Sequence, residues 1–276
     1  MQILINGLKT NRAFAVSSFF VLLLIAVALA APLIAPYDPL EAVMQNACLP
    51  PSAEHLFGTD KLGRDNFSRI LYGASYSLSS VLLLVTIIFA VGTTLGVLAG
   101  YYGGKVDIVI MRISDMMISF PGMILAIAVA GILGGSLINA IIALTIVTWT
   151  KYARLARSIV LKIKKRDFVE AAIVNGGTST HILWKHILPN ILPLMVITAA
   201  SDIGAMMMEL AGLSFLGFGS QPPAPEWGLM LNEGRQQLQT APWLMIFPGL
   251  AIFVTVVIFN LWGDALRDVL DPRQEE

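Results

Sequence analysis

The chain has 276 residues, 56% of them hydrophobic and only 13% charged, against the roughly 25% charge usual in soluble domains, which all but excludes an ordinary water-soluble enzyme. A mean hydropathy of +0.75 favours an integral membrane protein of several helices. Lys plus Arg and Asp plus Glu balance at 18 each, so no overall basic field argues for nucleic acid. Cys48 stands alone, which excludes an intrachain disulfide framework and argues against a Cys-based metal site.

A bilayer core about 30 Å thick needs about 20 apolar residues of helix. Ala13 to Ile34 and Leu78 to Tyr101 carry no charge, and Trp243 to Trp262 is equally clean. Met116 to Leu133 is shorter. Leu137 to Thr150 has only 14 residues and is expected to borrow a turn from each flank. Leu188 to Leu210 is interrupted by Asp202 and Glu209. The expected fold is therefore all-α, a polytopic bundle of six transmembrane helices. It divides into residues 1–77, an anchor helix with an external loop, and residues 78–276, a five-helix core that includes a loop over residues 151–188.

Lys9 and Arg12 precede the first span, which passes through Ala28-Leu29-Ala30, a stretch like a signal-peptidase site. Its apolar run is longer than the 7–15 residues of a leader, so the span is expected to remain as an anchor. A cytoplasmic N-terminus places 14 Lys and Arg in the inner segments and four (Lys61, Arg64, Arg69 and Arg235) in the outer loops. That bias puts both termini in the cytoplasm.

Of the two long outer segments, residues 36–76 open with Pro36-Tyr37-Asp38-Pro39, and Asn66 to Leu78 reads as an amphipathic helix at the interface. Residues 212–242, rich in Gly and Pro, read as loop. Gly92, Gly96 and Gly100 recur every four residues in the second span, and such a face lets helices approach closely. Helix packing is the leading reading and a permeation role the other. Pro121, Pro189, Pro193 and Pro248 are expected to kink or start helices.

Between the fourth and fifth spans, Arg166 to Asn190 reads as helix, turn, helix. Phe168 to Val174 forms a short helix that Asn175-Gly176-Gly177 stops. Thr178 or Ser179 caps a second helix that ends before Pro189. The result is a compact knob whose small residues allow close approach, with Glu170 offering a carboxylate to a basic rim. On composition alone, a basic helix pair resting on anionic lipid is an equal reading.

This segment resembles the EAA loop of bacterial ATP-binding-cassette (ABC) importer permeases, through Glu170-Ala171-Ala172, Gly176 and His186-Ile187-Leu188-Pro189-Asn190. Further stretches are similar to the dipeptide, oligopeptide and nickel permease family: His55 to Asp65, Arg112 to Pro121, Leu213 to Gly217, Pro225-Glu226-Trp227-Gly228 and Gly263 to Asp268. The resemblance implies a type I ABC importer permease fold in the cell inner membrane. It implies that Glu170, Ala171, Ala172, Gly176 and Gly177 couple to a cytoplasmic ATPase. It also implies four kinds of partner: a second, homologous permease chain, two ATPase subunits, an external substrate-binding protein and the lipid bilayer.

No Walker motif is present, because Val106 follows Gly104-Lys105 and Ala99 occupies the position of the leading glycine. ATP and Mg are expected on the partner ATPases, with no cofactor, metal or catalytic residue in this chain. Charges inside the bilayer are costly unless they face a cavity or a partner. Asp202 and Glu209, with Met206 and Met207 between them, are therefore candidate pore-lining residues. A structural hydrogen bond or inter-subunit contact for Asp202, an outer-interface position for Glu209, and core packing for the methionines are the alternatives. The expected substrate is nickel or a metal chelate, with di- or oligopeptide close behind. An ATP-independent secondary transporter is the rival class.

Overall fold

The structure, a computed structural model, describes residues 7–8 and 11–270, which are helical apart from their connections and an isolated antiparallel bridge between Thr59 and Asp65. Helix α1 spans Arg12–Ile34 and α2 spans Asn66–Tyr102. They are followed by α3 (Gly104–Ile118), α4 (Gly122–Leu133) and α5 (Leu137–Ile163). Next come α6 (Asp167–Val174) and α7 (Ser179–Ile182), then a wide π turn over Leu183–Ile187 and α8 (Leu188–Phe215). Helices α9 (Trp227–Gly234) and α10 (Trp243–Leu270) complete the order.

Three of the helix starts, those of α1, α2 and α5, carry side-chain caps that occupy otherwise orphan N–H groups. Asn11 accepts from the Phe14 N–H at 3.0 Å, Asp65 from Ser68 at 2.7 Å, and Ser136 from Asn139 at 3.1 Å. Among the described residues, four helices are long and apolar enough to cross a membrane: α1, α2, the continuous run Ser179–Phe215, and α10. A fifth is added if α3 and α4, bent by 95° at Ser119–Pro121, count as one.

Several boundaries differ from the sequence expectation. The segment expected to lie at the interface, Asn66 to Leu78, is continuous with the span that follows. The division at 77/78 thus falls inside one helix, because nothing between them breaks the hydrogen-bond ladder. The expected span Met116 to Leu133 is broken, since Pro121 disfavours helix at the residue before it. Helix α5 does not borrow from its N-terminal flank. Ser136 caps it there, and it runs on through Lys151, Arg154 and Arg157 to Ile163. The second knob helix, α7, ends at Ile182, before Pro189, and the chain runs on through the wide turn into α8, where a proline in the first turn costs no hydrogen bond. Residues 212–242 hold the end of α8 and the whole of α9 rather than loop alone. Lys9 and Arg273, two of the inner basic residues, lie outside the described residues.

Helix α2 is the shaft of the bundle, packed on α1, α5 and α8, and its pairing with α5 is the most extensive. Gly92, Gly96 and Gly100 face α5. A Cβ on Gly92 would lie 2.6 Å from the Trp149 carbonyl oxygen, and one on Gly96 would lie 2.8 Å from both Ala153 Cα and Ala156 Cβ. On Gly100 it would lie 2.8 Å from Val160 Cβ. The backbones touch along about two turns of α2, which only glycine permits.

Candidate functional site

Two places gather the residues that the sequence singles out. The first is the knob, residues 167–187. Helix α6 stops in a Schellman turn. Gly176 adopts φ +78°, its N–H donates to the Ile173 carbonyl at 3.0 Å, and the Gly177 N–H donates to the Ala172 carbonyl at 2.9 Å. Of the two candidate caps it is Thr178 that accepts, from the His181 N–H at 3.3 Å. Val169, Ile182 and Ile187 are fully buried and pin the two helices together. Glu170, Ala171 and Gly176 are exposed, and Ala172 and Gly177 are half-buried.

Beside them the knob exposes an apolar tip that sequence reasoning missed. Val174 is 85% exposed and Trp184 69%, with Phe168 and Ile173 also open. The signal was present in the uncompensated hydrophobic residues of Ile173-Val174. The ring centroids of His181 and His186 stand 5.6 Å apart, and the Asn190 side chain donates to the His186 carbonyl at 2.6 Å.

The second place lies midway along the 28-residue α8. Lys151 Nζ on α5 donates to both Asp202 oxygens, at 2.6 and 2.8 Å, and the Tyr152 hydroxyl donates to Asp202 Oδ2 at 3.0 Å. Asp202 is buried, Met206 and Met207 are in the core, and Glu209 is half-buried two turns on. In the sequence Lys151 reads only as a loop cation. Its place beside Asp202 follows from the unforeseen extension of α5. Two more ion pairs tie α3 to that extension: Arg154 to Asp115, and Arg157 to Asp107 through Nη2 at 2.6 Å.

The opposite end of α2 is closed by a cap. The His55 to Asp65 stretch folds there. Asp60 accepts from the N–H groups of Leu62 and Arg64 at 2.8 and 3.0 Å and from Arg64 Nε at 2.6 Å. Glu233 on α9 accepts from Arg64 at 3.1 Å and from Arg69 at 2.7 Å. The two arginines are 2% and 1% exposed, a buried network whose distant member, Glu233, no local pattern announces. Glu226 caps α9 by accepting from Gly228 and Leu229. Burial pushes its carboxyl above the usual range, while those N–H donors and the Ser214 and Ser77 hydroxyls hold it back. Gly228 and Gly263 lie where a Cβ would approach Ala211 Cα to 2.7 Å and Ser201 Cα to 2.6 Å, so these glycine motifs mark helix contacts. Among the described residues, no group of three or more His, Cys, Asp or Glu is placed to hold a metal.

An all-helical membrane bundle with an exposed helical knob between two long helices is the architecture of transport permeases. The family model described as "Binding-protein-dependent transport system inner membrane component" matches residues 92–276, and that for the "N-terminal TM domain of oligopeptide transport permease C" matches residues 1–51. The dipeptide transport system permease protein DppC of Alkalihalophilus pseudofirmus is 45% identical over 268 residues, covering 97% of this chain and 88% of the relative. The glutathione permease protein GsiD of Pectobacterium atrosepticum is 46% identical, covering 93% and 86%. The nickel permease protein NikC of Escherichia coli is 40% identical, covering 96% of each. Among solved structures, a chain of the inward-facing MetNI methionine ABC transporter superposes with a TM-score of 0.58 at 21% identity, over 74% of this chain and 97% of that one, a likeness of fold.

The chain belongs to the family of binding-protein-dependent transport system inner membrane components. It is a multi-pass inner-membrane permease subunit of an ABC importer. Permeases of this kind work with ATPase and substrate-binding partners.

Proposed function

We propose that this subunit forms half of a translocation pore with a second, homologous permease chain, and that its knob docks on one of two cytoplasmic ATPases. In this reading six spans cross the bilayer, α1, α2, the bent pair α3 and α4, α5, α8 and α10, with α1 retained as an anchor and both termini inside. The chain catalyses nothing itself. ATP and Mg sit on the partners, and an external binding protein delivers the solute. The solute belongs to the class for which the relatives are named: dipeptide, glutathione or nickel.

The observation that carries the reading is the knob itself. Its apolar tip, Val174 and Trp184, stands beside the exposed carboxylate of Glu170, with no cover from the described residues. An apolar centre with a charged margin suits a protein groove better than solvent. The knob also passes into α8 without a break, through the wide turn at Leu183–Ile187. Closure of the ATPases would therefore be felt at the depth of Asp202. The coupling is a difference in the docked knob's affinity for two states of the pore.

Substituting Gly176→Asp tests this. Asp tolerates the left-handed conformation better than most residues, so the variant is expected to insert normally. ATP hydrolysis in the assembled complex should no longer drive uptake. Normal nucleotide-driven uptake in that variant would sink the docking assignment.

A further inference from the structure

Lys151 presents a problem that the ion pair does not solve. Asp202 stands midway along a membrane-crossing helix, so the lysine bonded to it lies at the same depth. Yet the Lys151 side chain is 61% exposed, while that of Asp202 is 11% exposed. A lysine side chain this open at mid-bilayer does not face hydrocarbon without a large cost. It faces water, a polar path or the second permease chain.

The rest of α5 says which. Lys151, Arg154, Ser158 and Lys162 are all exposed, and they follow one another at three- and four-residue steps, with half-buried Thr148 one turn outward. That spacing places them in a single stripe along one face. The flanking positions Val147, Tyr152, Ala153, Ala156 and Val160 are buried against the bundle. The polar stripe begins at mid-membrane and descends toward the knob.

We propose that this stripe lines the translocation path, and that Lys151 and Glu209 form a subsite for a small zwitterion carrying a free carboxylate, such as a two- or three-residue peptide. The proposal rests on the permease reading above. Asp202 engages two of the three Lys151 N–H groups, which leaves one donor for a carboxylate. Glu209 follows Asp202 by seven residues, about 10 Å along the same face. It has no hydrogen-bond or ion-pair partner among the described residues, and it is free to accept from an ammonium. An extended peptide gains about 3.3–3.6 Å per residue, so the two charged ends of a di- or tripeptide span a comparable distance. A bare divalent cation gains nothing from Lys151.

The test uses the assembled complex in vesicles, in a Cys48→Ser background. Thr148→Cys and Ser158→Cys keep the ion pair and report on the stripe. Both should react with a membrane-impermeant sulfonate thiol reagent, whereas Leu22→Cys on the exposed face of α1 should not. Failure of both stripe positions to react overturns the path assignment.

Uptake of radiolabelled dialanine, its C-terminal amide and radioactive nickel tests the subsite. Lys151→Met should raise KM for dialanine by about tenfold, the worth of one charge-assisted hydrogen bond. It should leave the amide nearly unchanged, and Lys151→Arg should retain dialanine uptake. A loss equal for dialanine and its amide means that Lys151 only holds the fold, and overturns the subsite. So does a wild type that carries nickel alone, although the importer reading survives that result. Absence of any nucleotide-driven uptake counts against the importer reading instead, and the thiol labelling still decides the path.

Discussion

The two ends of α2 are ordered by opposite means. At the cap, Arg64 reaches a carboxylate 169 residues away, and the partners are withdrawn from solvent. At the knob, the ordering bonds are local: Gly177 to Ala172, Gly176 to Ile173, His181 to Thr178. The cap buries charges that must then satisfy one another. The knob buries three aliphatic side chains and leaves Val174 and Trp184 open. One end is closed by charges of this chain, and the other leaves an apolar surface uncovered among the described residues.

The contrast breaks most readily at Glu233. Glu233→Ala removes the carboxylate that two buried guanidinium groups share and leaves Asp60 as the acidic partner of both. Removing one partner of a buried pair costs about 3–5 kcal/mol. The thermal midpoint of the purified protein should fall sharply, and the segment 36–65 should become protease-sensitive, while cleavage within 167–187 stays unchanged. A loss below about 1 kcal/mol would mean that the cap network behaves like a surface pair.

The shaft joining the two ends responds less. Gly96→Val places a branched side chain where even a Cβ sits 2.8 Å from Ala153 Cα. Overpacking of this kind costs about 1–3 kcal/mol, and helix α5 must shift away from α2. The sign of success is a lower unfolding midpoint together with weaker protection of both helices in hydrogen exchange. At the knob, Thr178→Ala removes a single cap worth about 1 kcal/mol. It should speed amide exchange in residues 179–182 and leave the cap end untouched.

What could be read from the sequence divides along the same line. Local signals carried the knob: Asn175-Gly176-Gly177 demands a left-handed stop, and a hydroxyl follows it to start the next helix. The glycine face of α2 was legible because a four-residue period is a local property too. The α5 extension was not, because Lys151, Arg154 and Arg157 read as a cytoplasmic loop when charge is taken as the end of a span. They are tolerated in a helix here because Asp202, Asp115 and Asp107 approach from α8 and α3. The Arg64–Arg69–Glu233 network was hidden for the same reason, since its partners meet only once α9 has folded against α2. Pairings made in space leave no spacing in the chain.

The finest test of the contrast changes function and not stability. Val174 is 85% exposed and sits in ordinary helical backbone, so Val174→Asp adds no strain of the kind Gly176→Asp carries. Surface substitutions of this sort alter stability by about 0.5 kcal/mol or less. If the knob is a solvated loop, uptake by the assembled complex should be unaffected too. If it fits an ATPase groove, a carboxylate is forced into an apolar contact, and burying an unpaired charge there weakens docking strongly. The unfolding midpoint should then equal that of the wild type while nucleotide-driven uptake is lost, and ATP hydrolysis should no longer respond to the loaded binding protein. Cysteine crosslinking from position 174 to the ATPase, carried out in the Cys48→Ser background, should succeed in the parent complex and fail when the neighbouring Glu170 is changed to Lys. A variant that loses stability and uptake together would place Val174 in the fold and not at an interface.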